Sequence, residues 1–281
     1  AKLGANAGCA SVLSLTGVLA KNLSEPLGYS GFGLHLFLST LLSGFIFTLV
    51  VYVIYKGYKV KADNPLKLSE IPKFNRDQWL TIIAIIVMVI CCIGFKLDTG
   101  LFAFAAAAVL ILLGAVDEKK AIKGIPWGTL VFICGVGVLI NVIDTLGGIT
   151  MISDFLTGFM NEHTATPILA ATSGILSWVS STTGVVMPTL FPIAADVCKT
   201  FGGANYVEII SAITATSFAA AISPLSTGGA IIMSSYSAAR ETTNEELNKM
   251  FKTLFLLSVA NVLLNVLLSA LGVFKLGGLF Y

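Results

Sequence analysis

Charge is scarce in this chain. Only 11% of its 281 residues are Asp, Glu, Lys or Arg, and its mean hydropathy is +0.90. A typical soluble domain has about 25% charged residues, so the composition excludes an ordinary soluble fold. The net charge is +2, and the charges lie in loops rather than on one face, so nothing indicates a nucleic-acid partner. The predicted class is an all-α membrane protein whose surroundings are the lipid bilayer.

Residues for metal binding and catalysis are also few. The two histidines, His35 and His163, do not join the five scattered cysteines in any metal-ligand spacing. No His-Glu-x-x-His motif, Gly-x-Ser-x-Gly elbow or pair of aspartates occurs. The sequence therefore predicts no enzyme and no cofactor apart from a coupling ion. A purely structural subunit would leave the features described next unexplained.

Two long stretches contain no charged residue, and polar sequence interrupts both. They run over 164–195 and 209–239, and the polar interruptions lie at 177–184 and 223–229. A straight helix of about thirty residues would be roughly 45 Å long, against roughly 30 Å of hydrocarbon. We therefore expect each stretch to fold back or break within the membrane. Broken helices of this kind often mark the binding site of a transporter, which predicts a solute carrier.

Apolar runs and basic loops predict a multi-pass topology in the cell inner (plasma) membrane. The predicted spans are Leu34–Tyr55, Trp79–Phe95, Leu101–Val116, Pro126–Ile143 and Thr253–Phe274, with an amphipathic segment over 144–163. Lys and Arg are frequent in the loops 56–78, 117–124 and 240–252, which places these loops in the cytoplasm. All three loops fall on one side only if the stretch 164–195 is re-entrant.

An internal repeat is predicted from two short segments. Ser11–Leu19 aligns with Ser223–Ile231, and serine, leucine, serine and glycine coincide. Each segment precedes one long span, and the two spans run in opposite directions, which is the pattern of an inverted repeat. The expected divisions are 1–56 as the end of the first repeat, 57–78 as a cytoplasmic loop, 79–163 as scaffold spans with an interfacial helix, and 164–281 as the transport region. The N-terminal part of the first repeat is expected to be missing.

Hydroxyl groups at the polar interruptions are the candidate site. Hydroxyls and freed backbone N–H groups can donate to an anion, and unwound carbonyls can coordinate sodium. The predicted substrate-binding residues are Ser180, Ser181, Thr182, Thr183, Ser226, Thr227, Ser14 and Thr16. The predicted ion-binding residues are Ser180, Ser181, Ser223, Ser226 and Gly228. The alternative is that these hydroxyls bond to their own backbone, that Pro224 is a packing kink, and that Asn141, Asn261 and Asn265 join helices.

No apolar span shows a clear acidic or basic residue. A carrier of cations or a proton antiporter usually needs such a group. A site of hydroxyls, amides and helix ends instead suits a small carboxylate anion accompanied by a metal cation.

Three motifs carry a family resemblance over nearly all of the chain: Ile125-Pro126-Trp127-Gly128, Ser180-Ser181-Thr182 and Pro224-Leu225-Ser226-Thr227. The chain resembles the C-terminal two-thirds of a member of the ion transporter superfamily, among the divalent anion/sodium symporters and the malonate/dicarboxylate carriers of the MatC type. Ser180, Ser181 and Thr182 match the family's Ser-Asn-Thr hairpin tip, and Ser226 and Thr227 match its Pro-containing turn. Ser181 replaces the usual asparagine, and glycines replace the prolines after the turn.

The resemblance implies a function and an assembly. We expect a homodimer with a fixed scaffold and a moving transport domain, which carries a di- or tricarboxylate with sodium by alternating access. A fragment that lacks the first hairpin is not expected to transport by itself. The alternative is an anion efflux permease or a sodium/proton antiporter of the same superfamily.

Overall fold

The computed structural model describes residues 2–59, 73–95, 97, 99–125, 127, 131, 134–135, 138–139, 142–143, 145–226, 228–229, 232–233, 236 and 243–275. Within these residues the structure is helical and contains no strand. The contacts divide the chain into two units. The first comprises 1–54 with 131–281, and the second comprises 55–130.

The described part of the first unit contains eight α-helices. They are α1 (Lys2–Cys9), α2 (Leu15–Ser24), α3 (Gly33–Ile54), α7 (Gly148–Thr157), α8 (Ala165–Val179), α9 (Met187–Thr200), α10 (Tyr206–Ala220) and α11 (Asn244–Ala270). The second unit has α4 (Arg76–Gly94), α5 (Thr99–Leu112) and α6 (Glu118–Gly124), and α4 packs against α5.

Two described helices are long and apolar enough to cross a membrane, α3 and α11. The predicted span Leu34–Tyr55 corresponds closely to α3. The predicted last span, Thr253–Phe274, begins too late, because α11 starts at Asn244. Thr243 and Glu246 form a reciprocal capping box there, which satisfies backbone N–H groups that a helix start leaves free.

The predicted cytoplasmic loops are therefore partly helical. Residues 244–252 belong to α11, and most of the predicted loop 117–124 forms α6, whose first turn is capped by the Asp117 side chain. Most of the predicted span Pro126–Ile143 lies outside the described residues, as do Asn141, Asp144 and Arg240.

Helix α10 is the centre of the first unit. All of its residues except Val207 are buried, and it packs against α8, α11 and α3. Gly174 permits the close approach of α8, since a Cβ atom at this position would lie 2.7 Å from Val262 Cγ1 and 3.1 Å from Thr216 Cγ2. Small residues at helix contacts are typical of membrane bundles, where packing rather than hydrophobicity joins helices.

The expectation of apolar spans free of acidic residues is wrong for α10. Glu208 lies in its first turn and is only 4% exposed. Thr166 hydrogen-bonds the carboxyl group, and the Asn205 side chain caps the same turn by accepting from the Glu208 N–H at 3.3 Å. The positive end of the helix dipole favours an acidic residue at this place.

Candidate functional site

The first break in a helix separates α1 from α2 at residues 10–14. Ser14 is extended, with φ −93° and ψ 163°, so the helix stops and starts again. The Ser14 hydroxyl donates to the carbonyl oxygens of Cys9 and Ser11, the latter at 2.8 Å. The same hydroxyl oxygen accepts from the Gly17 N–H at 3.3 Å, which caps α2.

The second break follows α10 at residues 221–226. The Ser226 hydroxyl donates to the carbonyl oxygens of Ala221 and Ser223, both at 2.8 Å. It accepts from the Gly229 N–H at 3.4 Å, so a serine again caps the restarting helix. This break was predicted from Pro224 and its neighbours, and the structure places it there.

The serine hydrogen bonds of the first break recur at the second break when the two segments are aligned as in the predicted repeat. Each of these contacts at the first break has its counterpart 212 positions later. In both, a glycine is required by space, because a Cβ at Gly17 would collide with Ser11 O and a Cβ at Gly229 would collide with Ser223 O. Four aligned identities in the sequence therefore correspond to one repeated backbone structure.

A third restart lies between α8 and α9. Ser180 and Ser181 are extended, and a π-helical turn, Thr182–Val186, leads into α9. The Ser181 hydroxyl accepts from the Gly184 N–H at 3.2 Å. All three restarts thus use one short pattern, Ser-x-x-Gly, with the serine side chain on the glycine N–H. The sequence alignment had paired Gly17 with Gly229, but the Ser-x-x-Gly spacing that all three restarts share was not predicted, although it is visible in the sequence.

Some backbone N–H groups at these helix starts have no acceptor within the helix. The first N–H groups of a helix have no intrahelical acceptor, and each serine cap satisfies only the glycine N–H. This leaves the N–H groups of Leu15 and Thr16 in α2, and of Thr182 and Thr183 in the π turn. Together with the positive end of the helix dipole, such groups suit an anion. At the second break, Thr227 lies outside the described residues.

Hydrogen bonds join the end of α8 to the end of α10. The Ser177 hydroxyl donates to Ser217 O at 2.9 Å and lies 3.1 Å from Thr182 Oγ1. Beside it, Trp178 Nε1 donates to Ser258 Oγ at 3.0 Å, and Ser258 in turn donates to Ala220 O at 2.9 Å. The third restart is therefore attached to the last turn before the second break. Ser177 and Ser258 were not predicted, since only tertiary packing reveals their partners.

The last turn of α10 also receives a donor from α1. Asn6 Nδ2 donates to the Phe218 carbonyl oxygen at 3.1 Å. Backbone carbonyls at a helix end have no intrahelical donor, and inside a membrane they must be satisfied by protein or by water. Side chains from α1, α8 and α11 donate to the carbonyl oxygens of Phe218, Ser217 and Ala220, and the last two oxygens also accept from the backbone N–H groups of Ala221 and Ser223.

The predicted site residues lie at these breaks, and most of their hydroxyl bonds are local. Ser180 Oγ donates to Leu176 O at 2.6 Å, and Ser181 Oγ lies 3.5 Å from Thr183 Oγ1. Thr182 is linked through Ser177 to α10.

The remaining predicted residues behave in the same way. Ser14 and Ser226 bond within their own segments, Thr16 and Ser223 are buried, and Gly228 is half-buried. These bonds leave hydroxyl lone pairs and helix-start N–H groups at each break. The binding roles of these residues remain predictions.

A family comparison gives this geometry its context. The family described as "Citrate transporter" (CitMHS) matches residues 3–222. The chain belongs to the citrate transporter family. The matched region contains the first break and the third restart, and it ends as the second break begins. This membership confirms the resemblance to the ion transporter superfamily and its anion carriers. A comparison with curated proteins finds no match.

Membership in the citrate transporter family also places the chain among membrane transport proteins. The helical structure and the two long apolar helices agree with that class.

Proposed function

We propose that this citrate transporter family member is a secondary active transporter of citrate or a related di- or tricarboxylate, coupled to a cation, with sodium as the first candidate. The observation that carries the proposal is the family match over the first and third serine-capped restarts, where helix-start N–H groups lack intrahelical acceptors.

The chemistry of the restarts suits a carboxylate. The substrate would accept from the N–H groups of Leu15, Thr16, Thr182 and Thr183, and each helix start adds a partial positive charge of about half a unit. Donors fixed by the serine caps need little rearrangement when an anion arrives, which favours binding. A hard cation would bind to backbone carbonyl oxygens that the breaks release from helical hydrogen bonding.

The architecture we propose is an inverted repeat with alternating access. The matched breaks 212 positions apart support a repeat, and the opposite directions of α3 and α11 follow from the charge pattern of the loops. In this proposal the re-entrant segment 164–200 and the two broken helices move against a scaffold in a homodimer.

The test is citrate uptake by the full-length protein in proteoliposomes. Labelled citrate is supplied at limiting concentration under a sodium, a potassium or a proton gradient. We expect Ser181→Ala to lower kcat/KM at least about tenfold, because the loss of a cap loosens the donor geometry. Thr200→Val is the matched control, since Thr200 Oγ1 bonds to Asp196 O at the exposed end of α9. A kcat/KM for citrate uptake that Ser181→Ala leaves unchanged would contradict the proposed binding site.

A second candidate function is favoured by Glu208. A buried carboxyl group in an apolar helix is what a sodium/proton antiporter of the same superfamily would need. Such a protein would exchange sodium for protons without any carboxylate, and Glu208→Gln would abolish the exchange. Sodium movement that requires citrate would exclude this alternative.

A further inference from the structure

Ser177 connects the third restart to α10 through a single hydroxyl group. The side chain lies in the last turn of α8 and is 0% exposed. Its Oγ is 2.9 Å from Ser217 O and 3.1 Å from Thr182 Oγ1. One buried hydroxyl group therefore contacts both the last turn of α10 and the first residue of the π-helical turn.

The direction of these two hydrogen bonds follows from the number of protons available. A backbone carbonyl can only accept, so the single hydroxyl proton of Ser177 points to Ser217 O. The Ser177 oxygen must then accept from the Thr182 hydroxyl. Because the Thr182 proton is used within the protein, this hydroxyl does not donate to a bound carboxylate. The group that Thr182 can offer to an anion is its backbone N–H.

This pair of bonds holds the helix start that the proposed function requires. The N–H groups of Thr182 and Thr183 lack intrahelical acceptors, which makes them donors for a carboxylate. Ser181 caps the same start by accepting from the Gly184 N–H at 3.2 Å. Ser177 attaches it to the buried helix α10. Donors whose orientation is already fixed lose little conformational freedom when an anion binds.

We propose that Ser177 is a positioning residue of the carboxylate site. It is buried and has no proton left for a ligand, so it acts through Thr182 rather than on the substrate. By anchoring the Thr182 hydroxyl to α10, it keeps the neighbouring N–H groups in the orientation that an anion needs. The inference rests on the proposed function, because it deepens the site at the third restart. One part of its test needs no citrate, so the two proposals can fail separately.

A matched control lies four residues earlier on α8. Ser173 is also 0% exposed, and its hydroxyl donates to Ile213 O of α10 at 3.1 Å and to Ala170 O at 2.7 Å. Ser173 and Ser177 thus each contact the α10 carbonyl oxygen 40 positions later. Ser173→Ala therefore removes a bond between α8 and α10 but leaves Thr182 anchored.

The first measurement is amide hydrogen exchange of the full-length protein in detergent without citrate, followed by mass spectrometry on peptides that cover 180–186. Ser177→Ala should increase the exchange rate of this segment about fivefold, because the segment opens more easily once its bond to α10 is lost. Thr182→Val should have the same effect, and Thr182→Ser, which keeps the hydroxyl, should recover most of the protection. Ser173→Ala should leave the exchange of 180–186 unchanged.

The second measurement is uptake of labelled citrate by proteoliposomes over a range of citrate concentrations. Ser177→Ala should raise KM about fivefold with little change in kcat, because it weakens the binding of citrate rather than the later conformational step. A merely structural loss would instead reduce the fraction of active protein and so lower the apparent kcat. Ser173→Ala should leave KM at the wild-type value.

The double variant separates an indirect role of Thr182 from a direct one. If Thr182 acts through Ser177, combining Ser177→Ala with Thr182→Val should raise KM no more than either change alone. Additive increases in KM would show that the Thr182 hydroxyl contacts citrate directly, and would overturn the proposal. Unchanged hydrogen exchange at 180–186 in Ser177→Ala would overturn it too. Wild-type protein that takes up no citrate would contradict the proposed function, and the exchange rates would still decide whether Ser177 anchors the restart.

Discussion

Asn6 donates a 3.1 Å hydrogen bond to the carbonyl oxygen of Phe218, and these two residues stand 212 positions apart. The same separation relates Ser14 to Ser226, the two residues that cap the restarted helices. The broken helices therefore meet at equivalent positions of the repeat. Contacts between equivalent positions occur where a two-fold axis passes between two copies, so this bond supports the proposed inverted repeat.

Alanine at either break glycine should disrupt the break. Gly17→Ala would place a Cβ 1.9 Å from Ser11 O, and Gly229→Ala would place one 2.0 Å from Ser223 O, so the backbone would have to shift. We expect each to lower the free energy of unfolding by about 1–3 kcal/mol, as overpacking does, and to reduce citrate uptake. Thermal unfolding in detergent measures the first effect and proteoliposome uptake the second.

Gly4→Ala is the control for those two variants. Gly4 lies within α1, and a Cβ there would have nothing within 4 Å. Because alanine is a better helix former than glycine by about 1 kcal/mol, this variant should be neutral or stabilising. Equal losses for Gly4→Ala and Gly17→Ala would contradict the steric explanation.

The two serine caps should contribute equally to the free energy of unfolding. Ser14→Ala and Ser226→Ala each remove a side-chain acceptor from a glycine N–H, and loss of such a cap costs about 0.5–2 kcal/mol. Ser14→Asp keeps an acceptor and should retain most of the stability. Denaturant titration monitored by helical circular dichroism measures the three variants. If only one of the two alanine variants loses stability, the two breaks do not share the same capping structure.

Ser43 and Asn265 should be strongly coupled. Ser43→Ala leaves Asn265 Oδ1 buried without its donor, and an orphaned buried polar group costs about 1–3 kcal/mol. Asn265→Leu leaves Ser43 and Asn261 unpaired at a similar cost. The double variant removes both partners, so it should be less destabilised than the sum of the single variants. Additive losses in a double-mutant cycle would show that the bond carries no coupling energy.

The indole N–H of Trp178 should contribute more to stability than its aromatic ring does. Trp178→Phe keeps an aromatic ring near Phe255 but deprives Ser258 of its donor, so we expect a loss of about 1 kcal/mol in thermal unfolding. Trp127→Phe is the comparison, since Trp127 Nε1 donates to Ile122 O on an exposed surface. If Trp127→Phe loses as much stability as Trp178→Phe, the Trp178 hydrogen bond has no special role.

Local signals in the sequence located the breaks. The Ser, Pro and Gly residues at 223–229 act on their own backbone, so their effect can be predicted without knowing any distant neighbour. The bounds of α11 were also present in the sequence, as Thr243 and Glu246 at capping-box spacing, but hydropathy alone placed the helix start too late. Three of the four identities that align the two breaks, the two serines and the glycine, take part in the repeated hydrogen bonds.

Lack of charge, long apolar runs and the polar interruptions are properties of the chain itself, and they determined that this protein is a helical membrane protein with broken helices. Tertiary structure alone decided which side chains complete the last turn of α10, that Glu208 is buried, and that Asn265 fixes the proton of Ser43. These features depend on partners up to 222 positions away. The free energy of a buried polar group is set by whichever partner packing brings to it, and no local pattern contains that information.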